Sequence, residues 1–481
     1  MIENQFSQFH LSDEIIETLT LLDYTTPTKI QEVVIPNALS GYDIIAKAQT
    51  GSGKTAAFGI PICEKIIWEE NLPQALVLEP TRELAQQVKT ELFHIGRKKR
   101  IKIPALFGGM PIDKQILSLK QKSHLIVGTP GRIMDHIRRG SLLLNQIQVV
   151  VIDEADLMFQ MGFAEEVIEI LKQLNSSRQI MLFSATMDDK IINSVLGFMQ
   201  EPKYLLLPDA EETKGSITQS LFYVDPDKKF SAFMNLMIHY LPDNCMIFCA
   251  TREMVNTLYQ KLRREKVRCG MLHGEMEQRD RLKTIEAFRD GHFHTLVCTD
   301  VAARGIDFDS LTHVFQYDLP TNVETYVHRI GRTGRNGKSG VAISLAAPDE
   351  SRLVTAIEQY TQESIPVMSL PSVTADQKNL FLKRQQEKPI LKKRKGAVFQ
   401  KSISNIAIGG GRKSKMRSGD IVGAICGIEG ITPEDIGIID VRDSLTYVEI
   451  LNQKGDLVLK ALEQKPIKGK IRKVSMSRKR N

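Results

Sequence analysis

Two long segments of this 481-residue chain each alternate short apolar runs with amphipathic stretches of helical length. The candidate strands of the first segment are residues 43–48, 75–78, 105–107, 124–127, 148–152 and 179–183. Those of the second segment are residues 246–248, 269–272, 294–298, 313–317 and 340–345. This alternation is typical of parallel strands joined by crossover helices. We therefore expect two doubly wound α/β domains in tandem.

A glycine-rich loop, Ala-Gln-Thr-Gly-Ser-Gly-Lys-Thr at residues 48–55, lies between the first candidate strand and a candidate helix. Gly51 and Gly53 allow backbone N–H groups to face an anion that a Cβ would obstruct. Because Ala48 stands where the strict phosphate-loop pattern has glycine, the match is to the relaxed form, and a chance Gly-Lys-Thr turn is the alternative. We expect a helix N-terminus that binds nucleotide phosphates, with the lysine on the β- and γ-phosphates and the last threonine on magnesium. The residues expected to do so are Thr50, Gly51, Ser52, Gly53, Lys54 and Thr55.

A second chemical feature is the apolar run Val150-Val151-Ile152, which opens directly onto Asp153 and Glu154. Asp153 is placed to hold Mg²⁺, and Glu154 is placed to orient or deprotonate an attacking water. Acid pairs at strand ends are also common as solvated caps. Their occurrence together with the phosphate loop favours the catalytic interpretation, which is hydrolysis of a nucleoside triphosphate.

The formal net charge of +7 is concentrated in the last fifth of the chain. Residues 391–481 contain 20 Lys and Arg against 9 Asp and Glu, a balance of +11, whereas residues 1–390 have a balance of −4. A basic region of this kind suits a phosphate backbone or an anionic membrane. A solvated tail is the alternative, but the stretch also contains the apolar residues that a folded unit needs.

The six cysteines have no Cys-x-x-Cys spacing, and most of them lie inside apolar runs. This usage predicts reduced, buried thiols and no zinc site. The N-terminal residues do not form a signal peptide pattern, and the chain has no uninterrupted apolar run of about 18 residues. We therefore expect a soluble, cytoplasmic protein. Separately, we expect a monomer.

Shifts in composition predict the domain boundaries. We expect a first domain at 1–207, a polar joint at 208–216, a second domain at 217–366, a basic and polar linker or helix at 367–402, and a small module at 403–477. The module has candidate strands at 403–408, 436–441, 445–451 and 470–475, and candidate helices at 419–427 and 457–463. This βαββαβ order is typical of a small α+β RNA-recognition (RRM-like) fold.

Residues 6 to about 350 contain a series of short motifs. They are residues 27–31, 48–55, 80–85, 108–109, 129–132, 153–156 and 184–186, followed by 248–251, 278–281, 299–307 and 326–335. Together these motifs resemble those of the DEAD-box RNA helicase family. The resemblance implies two RecA-like domains, ATP and Mg²⁺ as cofactors, RNA as partner, and RNA-dependent ATPase activity coupled to local unwinding. Two departures from the family pattern are Glu79, where an apolar or alanine residue is common, and Gln316, where asparagine is frequent.

The same resemblance implies roles for individual residues. Gln31 would read the adenine edge with Phe6 packed on the base, and Asp307 would also contact the nucleotide. Ser184 and Thr186 would couple hydrolysis to domain closure, His328 would join the interdomain hydrogen-bond network, and Arg332 and Arg335 would be arginine fingers. Such a finger is typically worth about 10³- to 10⁵-fold in rate. The residues implied to contact the RNA backbone are Pro80, Thr81, Arg82, Gly109, Thr129, Gly131, Arg132, Thr251, Arg252, Gly274, Thr299, Asp300 and Arg304.

The C-terminal module resembles that of the DbpA-type branch of the family, through residues 408–413, 417–424, 435–437, 447–448 and 467–470. This branch is associated with a stem-loop of large-subunit ribosomal RNA and with ribosome assembly. The central strand has Leu445 and Tyr447 at the positions that normally carry stacking aromatics, so its sheet face is a doubtful RNA platform. We expect the RNA contacts to come mainly from basic loops, and from the sheet face only through Tyr447. The expected contact residues are Arg412, Lys413, Lys415, Arg417, Tyr447, Lys468, Lys470 and Arg472.

Two other functions remain open from sequence. An RNA chaperone or ATP-regulated clamp would use the same basic surfaces and make unwinding incidental. DNA translocation is disfavoured because the motif set and the module are of the RNA-binding type.

Overall fold

The computed structural model describes residues 4–48, 51–206, 216–303, 308, 311–334, 338–387, 389, 391 and 403–477. They form two parallel sheets, of seven and six strands, and one antiparallel sheet of four strands. We call the first parallel sheet with its helices domain 1, the second with its helices domain 2, and the antiparallel sheet with its helices the C-terminal module. The expected fold class, two tandem RecA-like α/β domains followed by a small α+β domain, is confirmed.

Six of the seven strands of domain 1 are buried along almost their whole length, which is why they read as continuous apolar runs. The strands are β1 (Ile44–Lys47), β2 (Ala75–Leu78), β3 (Ala105–Leu106), β4 (Leu125–Gly128), β5 (Val149–Ile152), β6 (Gln179–Ser184) and β7 (Lys203–Leu206). Their order is β3-β4-β2-β5-β6-β1-β7. The sequence did not predict β7, because this edge strand is mostly exposed and lacks the apolar pattern.

The helices of domain 1 cover both faces of this sheet. They are α1 (Asp13–Leu21), α2 (Lys29–Leu39), α3 (Lys54–Lys65), α4 (Arg82–Ile95), α5 (Ile112–Leu119), α6 (Pro130–Arg138), α7 (Ala155–Gln160), α8 (Ala164–Lys172) and α9 (Asp189–Leu196). Alternate residues of one strand enter opposite cores: Val151 packs with α3 and α4, while Val150 and Ile152 pack with α6 and α8. The sheet thereby brings the carboxyl ends of its strands to one edge, where parallel α/β folds bind ligands.

Domain 2 repeats this plan. Its strands are β8 (Ile217–Tyr223), β9 (Cys245–Phe248), β10 (Cys269–Leu272), β11 (Thr295–Cys298), β12 (His313–Gln316) and β13 (Gly340–Ala346), in the order β10-β11-β9-β12-β13-β8. Its helices are α10 (Lys229–Tyr240), α11 (Arg252–Arg264), α12 (Gln278–Arg289), α13 (Asp300–Ala303), α14 (Val323–Ile330) and α15 (Ser351–Thr361). The sequence did not predict β8, which is a half-exposed edge strand like β7.

Part of the segment expected to be a linker is a helix, α16 (Ala375–Gln386), that packs against α10 of domain 2. Phe381 inserts into the core of domain 2, and the Arg384 guanidinium donates to the Leu241 carbonyl oxygen at 2.9 Å. The backbone N–H of Arg268 donates to Gln385 Oε1 at 3.0 Å. The chain that leads to the C-terminal module is therefore attached to domain 2 as far as the end of α16.

The C-terminal module has the expected βαββαβ order. Its elements are β14 (Ser404–Gly409), α17 (Ser418–Cys426), β15 (Ile436–Val441), β16 (Leu445–Ile450), α18 (Gly455–Gln464) and β17 (Val474–Met476). The antiparallel strands lie in the order β15-β16-β14-β17. The last strand begins later than predicted, because residues 467–470 form a turn in which Lys468 has a φ of +51°.

None of the helices that the structure describes is both long enough and apolar enough to cross a membrane. The six cysteines are free thiols, and all but Cys426 are buried.

Candidate nucleotide and RNA sites

The glycine-rich loop joins β1 to α3, as its sequence predicts. Gly51 and Gly53 have φ values of +87° and +90°, which side chains with a Cβ rarely adopt. Gly53 is also the N-cap of α3, and a Cβ there would lie 2.6 Å from Gln31 Nε2. Glycine is therefore required at this position by conformation and by space. The loop points the positive end of α3 towards the edge where β1, β5 and β6 end.

Lys54 lies between the two predicted catalytic carboxylates. Its ammonium is 3.0 Å from Asp153 Oδ1 and also hydrogen-bonds to Glu154 Oε1, and all three side chains are buried. Burial alone disfavours the charged ammonium, but the two carboxylates outweigh it and hold the pKa of Lys54 above its usual value. Residues 100 positions apart in sequence thus form one charged cluster beside the phosphate loop.

The backbone of Glu154 also shapes this cluster. Its φ of +47° is unusual for a residue with a side chain, and its N–H donates to Asp153 Oδ1 at 2.8 Å. β5 ends at Ile152 and α7 begins at Ala155, with Glu154 as its N-cap. Both carboxylates are therefore directed into the same site as Lys54.

Glu79 is a further carboxylate at this edge. It follows β2, whose last residue Leu78 is in register with Ile152, so Glu79 lies beside Asp153. Its side chain is 0% exposed, and neither carboxyl oxygen has a hydrogen-bond partner among the described residues. Burial first, and then the negative charge of Asp153, raise the pKa of Glu79 well above its usual value. The sequence marked this residue only as a departure from the family pattern.

The residues expected to recognise adenine connect the loop to the N-terminal segment. Gln31 Nε2 donates to the Gly53 carbonyl oxygen at 3.0 Å, and Gln31 Oε1 accepts from the Thr28 N–H at 2.9 Å. Phe6 is fully buried and packs edge-to-face against Phe9 and Tyr24, with ring centroids 6.0 and 6.4 Å away. The contact of these residues with a base stays a prediction.

The residues expected to couple hydrolysis to movement meet an acidic residue that sequence reasoning did not single out. The Thr186 N–H and hydroxyl approach Asp156 Oδ2 at 3.2 and 3.3 Å. Ser184 is buried at the end of β6, and its carbonyl oxygen accepts from the Ala48 N–H at the start of the phosphate loop. Since Asp156 belongs to the same acidic tetrad as Asp153, the tetrad itself was the available signal.

Domain 2 contains a second charged cluster. Arg329 donates to both carboxylate oxygens of Asp300, at 2.5 and 2.7 Å, and to Gln316 Oε1 at 3.2 Å. Its guanidinium lies 5.1 Å from the ring centre of Phe248. Asp300 was expected to contact RNA, and the structure shows it held by Arg329, which sequence reasoning missed.

The arginine-finger candidate Arg332 and His328 line a small cleft beside this cluster. Lys54, Asp153 and Glu154 line a different cavity of about 830 Å³, which extends between α4 and α12 and reaches Asp440 and Arg442 of the C-terminal module. The structure therefore does not place Arg332 in the lining of the phosphate-loop cavity. Thr50, Arg304, Asp307 and Arg335 lie outside the described residues.

The predicted RNA-contacting residues follow the carboxyl ends of strands in both domains. Thr81 after β2 and Thr251 after β9 are equivalent: each caps a helix by accepting a backbone N–H, at 3.2 and 3.1 Å. An added Cβ at Gly131 or Gly274 would meet nothing within 4 Å, so the described fold does not itself require glycine there. The remaining candidates lie in the same loops or first helical turns, namely Pro80, Arg82, Gly109, Thr129, Arg132, Arg252, Thr299 and Asp300.

The two rows of candidates meet at a polar contact between domains 1 and 2. Glu83 accepts from Gln278 Nε2 at 3.0 Å and pairs with Arg281 at 3.0 Å. Arg82 donates to Gln278 Oε1 at 3.4 Å, and a Cβ on Gly109 would lie 2.4 Å from Arg82. Sequence reasoning recognised these motifs but gave no role to Glu83, Gln278 or Arg281.

The basic candidates of the C-terminal module gather at one end of its sheet. Lys468 Nζ donates to the Lys415 carbonyl oxygen at 2.6 Å and lies 3.4 Å from Asp420. These contacts join the loop after β14 to the turn before β17. The Tyr447 ring is covered by the Arg442 guanidinium, 4.7 Å from its centre. The exposed basic candidates are Arg412, Lys413, Lys415, Arg417, Lys468 and Lys470, whereas Arg472 is half-buried.

The donor set beside the phosphate loop fits magnesium of the kind that nucleotides carry. Asp153 and Thr55 offer oxygen ligands next to the loop, and no described group of three or more His, Cys, Asp or Glu residues could form a complete metal cage. Mg²⁺ in nucleotide sites is commonly held by one or two protein oxygens, with phosphates and water completing its shell. The small number of protein ligands is what such a site needs.

Comparison with known proteins shows which family the chain resembles. The chain matches the DEAD/DEAH box helicase family over residues 28–194, the helicase conserved C-terminal domain over 228–337, and the DbpA RNA binding domain over 405–476. It is 45% identical to the ATP-dependent RNA helicase DbpA of Bacillus subtilis, over 99% of this chain and 100% of that protein. The DEAD-box ATP-dependent RNA helicase CshA of Bacillus subtilis is 42% identical over 76% of this chain and 74% of its own length.

Solved structures give the same result for the two parallel-sheet domains. The chain is similar to Dbp5 of Saccharomyces cerevisiae bound to RNA and ADP–BeF3, with a TM-score of 0.67 and 32% identity. The match covers 80% of this chain and 100% of the Dbp5 chain.

Proposed function

From the premise that the chain belongs to the DEAD-box family of ATP-dependent RNA helicases, which are RNA-dependent ATPases, we propose that it locally separates or remodels short duplexes of large-subunit ribosomal RNA. We place this activity in ribosome assembly in the cytoplasm and expect a monomer. The single observation that carries the catalytic part is the cluster of Lys54, Asp153 and Glu154 beside a glycine loop with positive φ values.

The residues of this cluster have separable roles in ATP hydrolysis. Backbone N–H groups of the loop and the N-terminus of α3 bind the phosphates, and Lys54 leaves its carboxylate partners to neutralise the β- and γ-phosphates. Asp153 and Thr55 would hold Mg²⁺, which when bound neutralises charge on the phosphate oxygens. The freed Glu154 carboxylate then orients the attacking water and accepts its proton.

The second half of the proposal links hydrolysis to RNA. Candidate RNA contacts follow strand ends in both domains, and Glu83 with Arg281 joins the two rows across the domain contact. An RNA strand that bridges both rows favours the joined arrangement by its differential affinity for it. Arg332 and Arg335 belong to this proposal as arginine fingers, which would need to approach the phosphates from domain 2.

Supporting the ribosomal target are the resemblance of the C-terminal module to the DbpA-type branch and the match of residues 405–476 to the DbpA RNA binding domain. The exposed basic residues at one end of its sheet provide charge for a phosphate backbone. The module would thus deliver the helicase domains to one structured RNA.

The catalytic role is tested by Glu154→Gln in the full chain. ATP affinity should remain, whereas steady-state turnover should fall by about 10²- to 10⁴-fold, because the water loses its base. Glu165→Gln changes an exposed glutamate of the same domain and should behave like the parent protein. Normal turnover in the Glu154 variant would remove this residue from the proposed role.

The RNA preference is tested with Arg412→Ala combined with Lys413→Ala. ATPase stimulation and affinity are measured against a panel of ribosomal RNA fragments at constant salt, since binding to phosphates is salt-dependent. The variant should lose its preference for one fragment, and its salt slope should be smaller by about one unit for each phosphate that is no longer neutralised. Lys460→Ala removes an exposed charge from α18 and is the matched control. Unchanged preference in the double variant would contradict the assignment.

A Lys54→Ala variant separates this helicase from a chaperone. Loss of duplex separation is expected, because phosphate binding and hydrolysis both need the ammonium. Full RNA-remodelling activity without hydrolysis would instead indicate an RNA chaperone or clamp.

A further inference from the structure

The C-terminal module lies against domain 1 through a buried ion pair. Arg97, which follows α4, donates to Glu449 Oε1 at 3.1 Å, and the two side chains are only 4% and 3% exposed. The Arg97 guanidinium also lies 5.1 Å from the ring centre of Phe93 on α4. The two residues are 352 positions apart, so this contact joins separate folding units.

Three further contacts surround this ion pair. Lys102 Nζ donates to the Ile439 carbonyl oxygen at 2.9 Å, and the Arg100 guanidinium donates to the carbonyl oxygen of Pro433. On another side, Leu21 of α1 packs against Ile403 and Leu451 of the module. The contact therefore has a charged centre and an apolar side, with three cations supplied by domain 1.

The module supplies the outer face of its sheet to this contact. Along β16 the residues Thr446, Val448 and Ile450 are buried, the last two in the core of the module, so Leu445, Tyr447 and Glu449 point the other way. Glu449 would be exposed on an isolated sheet, yet domain 1 covers it. A carboxylate on this face repels phosphate and attracts a guanidinium, which suits protein better than RNA.

The basic loops of the module lie at the opposite end of the same sheet. Ser404 is in register with Ile450, next to the contact with Leu21, whereas Gly409 is in register with Leu445, next to the loop that carries Arg412. Five residues along a strand correspond to about 17 Å. The contact with domain 1 thus leaves the basic loops uncovered.

We propose that the outer sheet face of the C-terminal module is a docking surface for domain 1, centred on Glu449, and that the module binds RNA through its basic loops while it is docked. The chain before the module is attached to domain 2 through α16, yet the module is seated on domain 1. Docking therefore connects domain 1 to domain 2 through the module and carries the bound RNA with the domain that contains the phosphate loop. Docking is independent of the proposed function and can be measured without RNA or ATP, whereas RNA binding by the docked module rests on the proposed function.

The docking is tested in the full chain by hydrogen exchange measured on peptides. The domain 1 segment 96–103 should be protected in the parent protein and lose protection in Glu449→Lys, because a buried charge pair becomes a buried repulsion. Removing one partner of such a pair typically shifts a docking equilibrium by about 10²-fold or more. Glu463→Lys makes the same charge change at an exposed position of the module and should leave the segment protected.

Two additional variants guard against local unfolding of the module. Arg97→Glu breaks the pair from the domain 1 side and should expose module segment 433–441 in the same way. The swap of Arg97→Glu with Glu449→Arg should restore protection in both segments. Full protection of the segments in both Glu449→Lys and Arg97→Glu would overturn the docking surface. The proposal would also be overturned if both single variants exposed the segments and the charge swap did not restore their protection.

The RNA part is tested by adding an RNA hairpin with a single-stranded extension at fixed salt. Segment 410–417 should gain protection while segment 96–103 stays protected, and the hairpin affinity of Arg97→Glu should remain within about twofold of the parent because its basic loops are unchanged. The alternative is that RNA occupies the sheet face. Hairpin binding would then release segment 96–103, and Tyr447→Ala would lower the affinity, which would refute the proposal.

Discussion

Glu79 is an ionisable group that the fold buries without a partner, and its replacement by glutamine should stabilise domain 1 at neutral pH. Burial, followed by repulsion from Asp153, raises the pKa of Glu79 well above its ordinary value of 4.5. Between these two values the folded protein keeps a proton that the unfolded chain has released, so the unfolding free energy falls as pH rises. Each pH unit removes about 1.4 kcal/mol until the folded pKa is reached, which gives at most about 3 kcal/mol at pH 7.

Glutamine has nearly the same size and polarity as the protonated acid but does not titrate. The advantage of the Glu79→Gln variant should therefore be close to zero near pH 4.5 and increase by about 1.4 kcal/mol per pH unit above it. The value at pH 7 is an upper limit because the loss of stability stops once the pH passes the folded pKa, which the ammonium of Lys54 lowers by attracting the ionised form of Glu79.

The chain offers a specific reporter for this measurement. Its one tryptophan, Trp68, lies in domain 1 with Lys122 Nζ 4.0 Å from the ring centre, so its fluorescence follows the unfolding of this domain in the full chain. Urea titrations of the parent protein and Glu79→Gln are compared at about pH 5.5, 6.5 and 7.5. Glu165→Gln, at an exposed position of the same domain, is the matched control. A stability difference that does not change with pH, or a variant less stable than the parent at every pH, would refute the reasoning.

Two other substitutions test the geometry of the sites. Gly53→Ala should lower nucleotide affinity by roughly tenfold, because its φ of +90° disfavours a Cβ and the new atom would displace Gln31. Gly41→Ala controls for the backbone effect, since Gly41 has a φ of +86° but an added Cβ would meet nothing within 4 Å. Equal nucleotide affinities of the two variants would contradict this account. Arg329→Lys should destabilise domain 2 by about 3 kcal/mol, because an ammonium cannot pair with both carboxylate oxygens of Asp300 as the guanidinium does. Hydrogen exchange of β11 and β12 measures this loss of stability. Unchanged exchange would show that the bidentate pair does not stabilise the domain.

In domains 1 and 2, the strands that were predicted from sequence are mainly those that the fold buries on both faces. Runs such as residues 149–152 contain only apolar side chains because helices cover both sides of a parallel sheet. The missed strands β7 and β8 are edge strands with exposed positions, and pattern alone does not separate them from loops. Both are held by pairing with one inner strand, β1 or β13, and that pairing is a tertiary property.

The sequence predicted those residues of the charged site that lie near the ends of predicted strands. Asp153 directly follows the apolar strand β5, and the glycine-rich loop after β1 leads to Lys54. Parallel strands bring such positions to one edge, so the sequence placed the two residues together although they are far apart along the chain. The partners of Glu83 and Asp300 were not predictable in this way. Arg281 and Arg329 lie on helices, and which residue a helix presents to another element depends on packing angles that local periodicity does not contain.

The outer sheet face of the module lacks the usual stacking aromatics, and its contact with domain 1 offers a reason. The sequence makes this face a doubtful RNA platform, because only Tyr447 occupies one of the usual stacking positions. The sequence alone does not explain why the other aromatic side chains are absent. In the structure the neighbouring position on this face, Glu449, forms a buried pair with Arg97, and Arg442 covers the ring of Tyr447. A stacking platform needs an open face, whereas an ion pair excluded from water needs a covered one. One face cannot meet both requirements at once, so the loss of aromatics and the gain of a buried carboxylate follow from the same use of the sheet.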